Sequence, residues 1–589
     1  METLNFRRLI DIPYYQLKNF PKEDALCGKE NGSWKKYSTQ QVIDQINTVS
    51  LALLQRGIQP NDKIGLISNN RPEWNFVDYG VMQIGAICVP VYPTISQDDY
   101  AYILSHAEVK IVFVANDDLF DKVNIVRDRV PSLKEIVSFA HVDGATDWND
   151  FLKSGSESDS AKLEALKDAV TPGQCACIIY TSGTTGFPKG VMLSHSNVVS
   201  QITCSYEFVP IGKEHHVLSF LPLNHSFEKV ISYIYTSHGV SIYYAEGLDT
   251  IADNLRELKP HMFTAVPRIL EKVYDRIISK GLELKGLKRA LFFWAVRVGE
   301  KFDTQKDLGW WYNTELKLAR KLIFSKWLEA LGGNILLIVT GAAALNERLC
   351  RIFCATGIQV MQGYGLTETS PAITVSRFDP KENMMGAVGK PLVDVYVKIA
   401  GDGEILCKGP NVMMGYYNDP VKTREVIDDD GWLHTGDIGE LVNGEYLKIT
   451  DRKKELFKTS GGKYVAPQMV ENNMKESHLI ETVMVVGAER KFVSAIVVPS
   501  FPNLKSWCEK NHVPFLSPQE VIKDHKVINE FKKIIDEKNN SHGQVERIKK
   551  FTLVADDWTP LNGLMTPTMK LKRKQLSEKY SSEIEAMYQ

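Results

Sequence analysis

The feature that most constrains this chain is an alternation, through its first part, of helix-period segments with short apolar runs. TQQVIDQINTVSLALLQRG repeats apolar residues at helical spacing and stops at a glycine, and KIGLIS beyond it has the length of a buried strand. WNFVDYGVMQIGA reads as a second amphipathic helix ahead of ICVPVYP, and HAEVKIVFVAN repeats the step from helix end to strand. Such alternation builds α/β architecture. Between positions 152 and 173 the run LKSGSESDSAKLEALKDAVTPG is polar and Ser/Glu-rich, and is expected to be a surface connection.

Past position 380 the texture changes to short strands and tight turns. In VGKPLVDVYVKIAGDGEILCKGP the GDG marks a turn between two strand-like runs, so a small β-rich subdomain is expected. A further change falls at DRKKELFKTSGGKYVAP, after which strand pieces such as TVMVVGAE and SAIVVPS precede helices. The expected class is α/β and multidomain. A large domain over 1–450 combines α/β subdomains with a β-rich one, and a small mobile α+β domain over 451–589 follows a boundary at Asp451.

With 589 residues, 44% hydrophobic and 24% charged, the chain can bury several cores as a soluble globular protein. Its 70 basic and 72 acidic residues leave a net charge of -2, which gives no global pull toward nucleic acid or anionic lipid. Nine cysteines without a CxxC pair point to reduced thiols rather than a disulfide framework or zinc site; Cys350 and Cys354, four apart, are expected on one helix face in the core. No stretch reaches the roughly 20 apolar residues of a membrane span, and METLNFRRLIDIPYYQ lacks the apolar block of a secretory signal. A cytoplasmic protein is expected.

One stretch concentrates chemistry. YTSGTTGFPKG, positions 180–190, lies between the apolar runs CACIIY and VML, with SHSN after it as a helix cap, so it reads as a loop joining two strands. Glycines let backbone N–H groups turn inward, hydroxyls add donors and Lys189 adds a full charge, a combination suited to a polyphosphate. It is not the Walker phosphate loop, because Lys189 is followed by Gly190 and a strand rather than by Ser/Thr opening a helix.

Four more motifs follow in order: QGYGLTETS, GWLHTGD, ITDRKKE and TPTMKLKR. Together with the loop they resemble the adenylate-forming, or acyl-activating, enzyme superfamily. LPLNHSFEK and VPRILEKVYDRI are similar to the long-chain fatty acyl-CoA synthetases within it. The resemblance implies activation of a fatty acid by ATP to acyl-AMP, followed by thioester formation with coenzyme A, with Mg²⁺ as cofactor. A thiol cannot displace oxide from a carboxylate, and such displacement at phosphorus is catalysed mainly by positioning and charge neutralisation.

By that resemblance Tyr180, Thr181, Ser182, Gly183, Thr184, Thr185, Gly186 and Lys189 grip the β- and γ-phosphates, with Thr184 and Glu368 at the metal. Gly341, Ala342 and Ala343 wall the adenine, although TGAAAL departs from a GAP-containing version common in relatives. Gly363, Tyr364, Gly365 and Thr367 continue the nucleotide site, Tyr364 stacking on adenine and Thr367 reaching the α-phosphate. Asp437 holds the ribose hydroxyls, assisted by Arg452 and Lys454. Lys570 bridges the carboxylate and the α-phosphate, and His225 shapes the carboxylate site. Asp451 is the hinge, and Lys458, Ser460, Gly461 and Gly462 form a turn on the coenzyme A side. Two readings compete: an acyl-AMP ligase that hands its product to a carrier protein, and a non-catalytic acyl-nucleotide sensor. Homodimer assembly is left open.

Between Lys280 and Lys326 eleven basic residues stand against five acidic ones, a net charge of +6, and LFFWAV, GWWY and FSKW add aromatics. Two readings stay open: a helical insertion with buried aromatics and a solvated basic face, or a face giving weak peripheral contact with the inner membrane surface.

Overall fold

The computed structural model describes residues 6–181, 187–247, 249–453, 455–559, 562–566 and 570–589. Two large sheets form the body of the first domain. In one, the parallel strands Ile87–Pro90, Lys63–Ile67, Val109–Val114 and Glu135–Ser138 lie side by side, and the antiparallel pair Cys175–Thr181 and Lys189–Ser194 is added at one flank. In the other, Leu26–Glu30, Ser241–Tyr244, His216–Ser219, Met262–Ala265, Leu337–Thr340 and Gln359–Tyr364 run parallel in that spatial order. These strands read as near-continuous apolar runs because both faces of a parallel sheet are covered.

The expected β-rich subdomain is a four-stranded antiparallel sheet of Tyr396–Ile399, Glu404–Lys408, Leu433–Val442 and Tyr446–Arg452, with the GDG turn between the first two. The small domain sets Ile480–Val486, Val493–Pro499 and Ile548–Leu553 against helices Pro467–Met474 and His525–Asn539, around its own core of Val470, Met474, Val497 and Phe531. No helix among the described residues is long and apolar enough to cross a membrane. Cys350 and Cys354 are buried on the helix Glu347–Thr356, as their spacing suggested.

Two expectations need correction. The helix Pro72–Gln83 is not amphipathic: all twelve residues are buried, because it touches strands of both large sheets and has no solvent side. The polar run at 152–173 is not merely a connection. It contains the helix Ser160–Ala169, whose Ala, Leu and Lys residues are good helix formers and which buries only Leu163.

The all-buried helix carries a charge. Asp78, fully buried, lies 2.5 Å from Lys229 Nζ and also accepts a hydrogen bond from Tyr233. Lys229 sits over the Trp74 ring, 4.6 Å from its centroid. Lys229 and Tyr233 belong to the helix Ser226–Ser237, whose Glu228 accepts from Ser219 Oγ at 2.6 Å and from Thr264, both on strands of the second sheet. Asn224, just ahead, donates to Leu66 O (3.2 Å) and Val91 O (2.8 Å) of the first sheet. LPLNHSFEK is therefore the rivet between the sheets.

Removing one partner of a buried pair strands the other charge in the core, which typically costs about 3–5 kcal/mol. Lys229→Met should lower the unfolding free energy read from a urea titration by an amount of that order and so lower the midpoint, while the apolar double replacement Asp78→Leu with Lys229→Met recovers most of the loss. Equal midpoints for Lys229→Met and the native chain would show that the pair carries no structural load.

Candidate functional site

The strand-to-strand loop is a hairpin. Cys175–Thr181 and Lys189–Ser194 pair antiparallel with Tyr180 opposite Gly190 and Thr181 opposite Lys189. Ser182, Gly183, Thr184, Thr185 and Gly186 lie outside the described residues, as does Lys454. At Gly190 a Cβ would meet Ile178 at 2.9 Å and the Tyr180 ring at 3.1 Å, so only glycine lets the strands close there. The Tyr180 hydroxyl is 2.7 Å from His106 Nδ1, and its ring lies in the apolar cluster beneath the hairpin. Ser194 then caps the following helix, accepting from Asn197 N at 3.0 Å while Asn197 returns the bond.

Lys189 reaches over the ring of Tyr416, 4.8 Å from its centroid, and the Tyr416 hydroxyl donates to Glu368 Oε1 at 2.8 Å. Tyr416 is placed by a short strand, Gly415–Tyr416, that pairs with the hairpin strand. One aromatic side chain thus connects the loop lysine to the glutamate of GLTETS. Glu368 lies in the one-turn helix Thr367–Thr369, and Thr367 Oγ1 is 3.3 Å from Ser226 Oγ at the start of the riveting helix. Gly365 is obligatory, since a Cβ there would fall 2.0 Å from Pro371 O.

His225 is the N-cap of that helix, and its Nδ1 accepts from Phe227 N at 3.1 Å, which leaves the neutral ring's proton on Nε2. Burial, reinforced by the Lys570 charge, pulls its pKa down to about 4, so it is neutral at pH 7. Tyr364 ends the strand Gln359–Tyr364 and donates to Asp437 Oδ2 at 2.8 Å, while Arg452 Nε lies 3.2 Å from Asp437 Oδ1. Asp437 and Arg452 face each other across adjacent strands of the four-stranded sheet. Burial raises the Asp437 carboxyl above the usual range, against the opposing pull of Arg452. A Cβ at Gly341 would lie 3.3 Å from Gly363 O, and Ala342 holds a φ of +67°, a left-handed conformation that a non-glycine residue adopts at a cost.

Lys570 enters this group from the small domain. Its backbone N–H donates to Thr566 Oγ1 (3.1 Å) and its carbonyl accepts from Thr566 N (2.8 Å), which fixes Lys570 just ahead of the helix Arg573–Lys579. Burial lowers its pKa to about 8, Arg452 adding to the effect while Asp437, Glu455 and Glu368 oppose it. Lys570, Glu368, Asp437, Arg452 and His225, predicted from five separate motifs, thus share one site. Asp451 is buried at the end of Tyr446–Arg452. Its Oδ1 accepts from Arg452 N at 2.5 Å, its buried Oδ2 has no partner among the described residues, and burial raises its pKa to about 7. The turn Lys458, Ser460, Gly461 and Gly462 is not part of this group: it caps the exposed hairpin Phe457–Lys458 and Tyr464–Val465, with Ser460 N bonded to Arg490 O at 2.9 Å.

Two models of known families divide the chain between them. One, described as AMP-binding enzyme, matches residues 14–417, and the other, described as AMP-binding enzyme C-terminal domain, matches residues 455–589. The chain belongs to the AMP-binding enzyme family. It is 32% identical over 567 residues to a long-chain-fatty-acid–CoA ligase of Mycobacterium bovis, covering 95% of this chain and 93% of that one. It is 35% identical to long-chain-fatty-acid–CoA ligase 1 of Homo sapiens, covering 94% and 82%. Among solved structures, an anthranilate CoA ligase in complex with anthranoyl-AMP shares the fold with a TM-score of 0.72 at 19% identity, covering 97% of each chain. A fatty acyl CoA synthetase of Mycobacterium tuberculosis does so with a TM-score of 0.64 at 21% identity, covering 98% and 99%.

Two residues of this AMP-binding enzyme were missed in the sequence. Tyr416, in MMGYYND, has no local signature, because its role comes from pairing with a strand more than two hundred positions away. Arg573, within TPTMKLKR, is half-buried and bonds both Glu471 oxygens at 2.8 Å and Glu455 Oε2 at 3.1 Å, which anchors the stretch 570–573 that carries Lys570. Among the described residues no cluster of three or more His, Cys, Asp or Glu is arranged to hold a metal. A lone, half-buried carboxylate such as Glu368 suits Mg²⁺, which takes most of its oxygen ligands from water and phosphate.

Tyr416→Phe keeps the ring beneath Lys189 but releases Glu368. Loss of such an outer hydrogen bond should weaken the apparent affinity for Mg²⁺-ATP by on the order of 10-fold. An unchanged KM for Mg²⁺-ATP would show that Glu368 is held by its backbone alone.

Proposed function

We propose that this chain joins a long-chain fatty acid to coenzyme A in two ATP-dependent steps, as the names of its relatives suggest. The observation that carries the reading is the convergence of Lys570, Glu368, Asp437, Arg452 and His225 on one half-buried site, with Lys189 tied to it through Tyr416. In the first step a carboxylate oxygen attacks the α-phosphorus of ATP, the bond to the β-phosphate oxygen breaks, and acyl-AMP and pyrophosphate form. Lys570 supplies positive charge between the two reacting anions, where a partly desolvated ammonium acts strongly. Asp437 takes the ribose hydroxyls through its carboxylate, oriented by Tyr364 and Arg452. Lys189 and the loop ahead of it hold the outgoing phosphates. Glu368, with Thr184, would hold Mg²⁺, which neutralises phosphate charge when bound. Neutral His225 orients the substrate carboxylate by donating from Nε2 without adding a second cation beside Lys570.

In the second step the coenzyme A thiolate attacks the acyl carbonyl and AMP leaves. The small domain turns about Asp451, dividing 1–450 from 451–589, so that Lys570 withdraws and the Lys458–Gly462 turn is brought up to the acyl-AMP. Polar links hold the present arrangement: Arg268 pairs with Glu481, Asn346 Nδ2 donates to Glu476 at 3.0 Å and Ser279 Oγ to Asn503 at 2.9 Å. Such an interface can separate without exposing a large apolar surface. The protein works in the cytoplasm, with peripheral contact at the inner membrane surface, where its substrate partitions.

Purified protein incubated with ATP, Mg²⁺, coenzyme A and acids of graded length should yield acyl-CoA, AMP and pyrophosphate by mass spectrometry. Pyrophosphate without thioester would replace this reading with transfer to a carrier protein, and neither product would replace it with a sensor. Lys570→Ala should lower adenylate formation by about 10²-fold or more, the range for losing a charge-stabilising donor, yet spare thioester formation from supplied acyl-AMP. Equal loss in both half-reactions would remove Lys570 from the role given it.

A pH dependence follows from the same side chain. The cationic form is the active one, so activity is full below a pKa of about 8 and is lost as pH rises through it. The kcat/KM for adenylation, which reports the free enzyme, should fall above pH 8 with a slope of one proton. A flat profile to pH 9.5, about one unit below an ordinary lysine, would exclude Lys570 as the titrating group.

A further inference from the structure

The insertion between Lys280 and Lys326 divides its aromatics between two faces. Phe292, Tyr312, Phe324 and Trp327 are buried together beneath the helices Gly286–Glu300 and Gly309–Ala319. Trp310 and Trp311 are not with them: they are 74% and 68% exposed, neighbours with ring centroids 5.6 Å apart. Leu318 and Leu322 are 48% and 39% exposed on the same helical stretch. The spacing explains the pattern. Trp311 and Leu318, seven apart, share one stripe of the helix, and Trp310 and Lys317 share the stripe beside it. Lys321 and Leu322 continue both stripes into the next turn. Among the described residues neither Lys317 nor Lys321 forms an ion pair.

We propose that this face, Trp310, Trp311, Lys317, Leu318, Lys321 and Leu322, docks the protein on an anionic lipid bilayer. Tryptophan has an apolar ring and one N–H donor, which suits it to the boundary between acyl chains and headgroups. Lysines on long stems keep their charges at phosphate level while the leucines beside them face inward. With a net charge of +6 confined to this insertion in a chain whose overall charge is -2, the field at this face is set locally and favours anionic headgroups. An acidic, apolar protein surface would also complement the charge. It would not account for an apolar stripe with no pocket-forming rim, which a planar lipid surface meets without shape complementarity. The docking rests on the proposed use of a lipid-partitioning substrate, but the surface itself is read from exposure and charge.

The test is sedimentation of the full chain with vesicles of phosphatidylcholine alone or in equal parts with phosphatidylglycerol. The native protein should pellet with the mixed vesicles, less so in high salt, and its tryptophan emission should be quenched by brominated acyl chains. Trp310→Ser with Trp311→Ser, and separately Lys317→Glu with Lys321→Glu, should weaken binding about 10-fold or more. Both variants should keep native acyl-CoA formation from a water-soluble acid without vesicles, so failure to bind lipid and failure of the ligase reading are separate results. Native protein left wholly in the supernatant, or variants that pellet like the native chain, would overturn the proposal. So would native protein that dimerises through this face in velocity sedimentation and loses the dimer in the tryptophan variant without ever pelleting.

Discussion

The ion pair between Asp78 and Lys229 is the constraint on which the rest of the large domain depends. Two opposite charges, a tyrosine hydroxyl and an indole face occupy the middle of an otherwise apolar core, joining a helix with no solvent side to the helix that begins at His225. A buried pair is weak grounds for net stability, since apolar residues of like volume often do as well. What it fixes is geometry. Lys229 must meet Asp78 and Glu228 must meet Ser219 and Thr264, so the helix has a defined axial position and rotation. Burial raises the Glu228 carboxyl to about 7, against its two hydrogen bonds, which makes this the more readily neutralised half of the arrangement. His225 and Ser226, one turn away, inherit that placement, and Ser226 passes it to Thr367.

The site is therefore assembled from elements that are each fixed elsewhere. The sheets place the hairpin and the strand ending in Tyr364, the antiparallel subdomain places Asp437 opposite Arg452, and the small domain delivers Lys570 three residues ahead of the anchored Arg573. Within it the charges are unequal in kind. Lys570 titrates near 8 because burial outweighs its acidic neighbours, and Asp437 is raised because burial outweighs Arg452. Burial acts on both groups before any ligand arrives, so an anionic substrate meets a cation whose hydration is already reduced. The small domain that carries Lys570 meets the large one along a polar seam at Arg268, Asn346 and Ser279.

Much of this was legible in the sequence, for a definable reason. Where function depends on a contiguous string, as in the hairpin loop, GLTETS, HTGD or TPTMKLKR, residue types and spacing carry the information, and the described members of those strings meet in one place. The α/β alternation and the GDG turn were legible because hydrophobic period and turn chemistry are local. What was hidden depends on distant pairing. Tyr416 matters because its short strand lies against the hairpin, Arg573 because Glu471 and Glu455 surround it, and Asp78 because Lys229 reaches it from another helix. The helix Pro72–Gln83 looked amphipathic because its few polar residues imply a wet face, whereas Asp78 and Asn75 are satisfied inside, Asn75 by the Tyr244 hydroxyl at 2.7 Å.

The insertion over 280–326 shows the limit of pattern reading most clearly. LFFWAV, GWWY and FSKW have much the same composition, yet Phe292 and Trp327 are core while Trp310 and Trp311 face outward. Periodicity assigns each residue to a stripe but not each stripe to a side; that choice is made by what lies beneath, here Ile352 and Ala355 of the neighbouring helix, which leave room for one aromatic layer. Once that layer is filled, the second pair of tryptophans has no interior left to enter. Their exposure is thus a consequence of packing geometry rather than of weak hydrophobicity. The helix Pro267–Glu283 at the start of the insertion meets the small domain through the polar Arg268 and Ser279, while the insertion itself presents an apolar, basic surface that the fold leaves open.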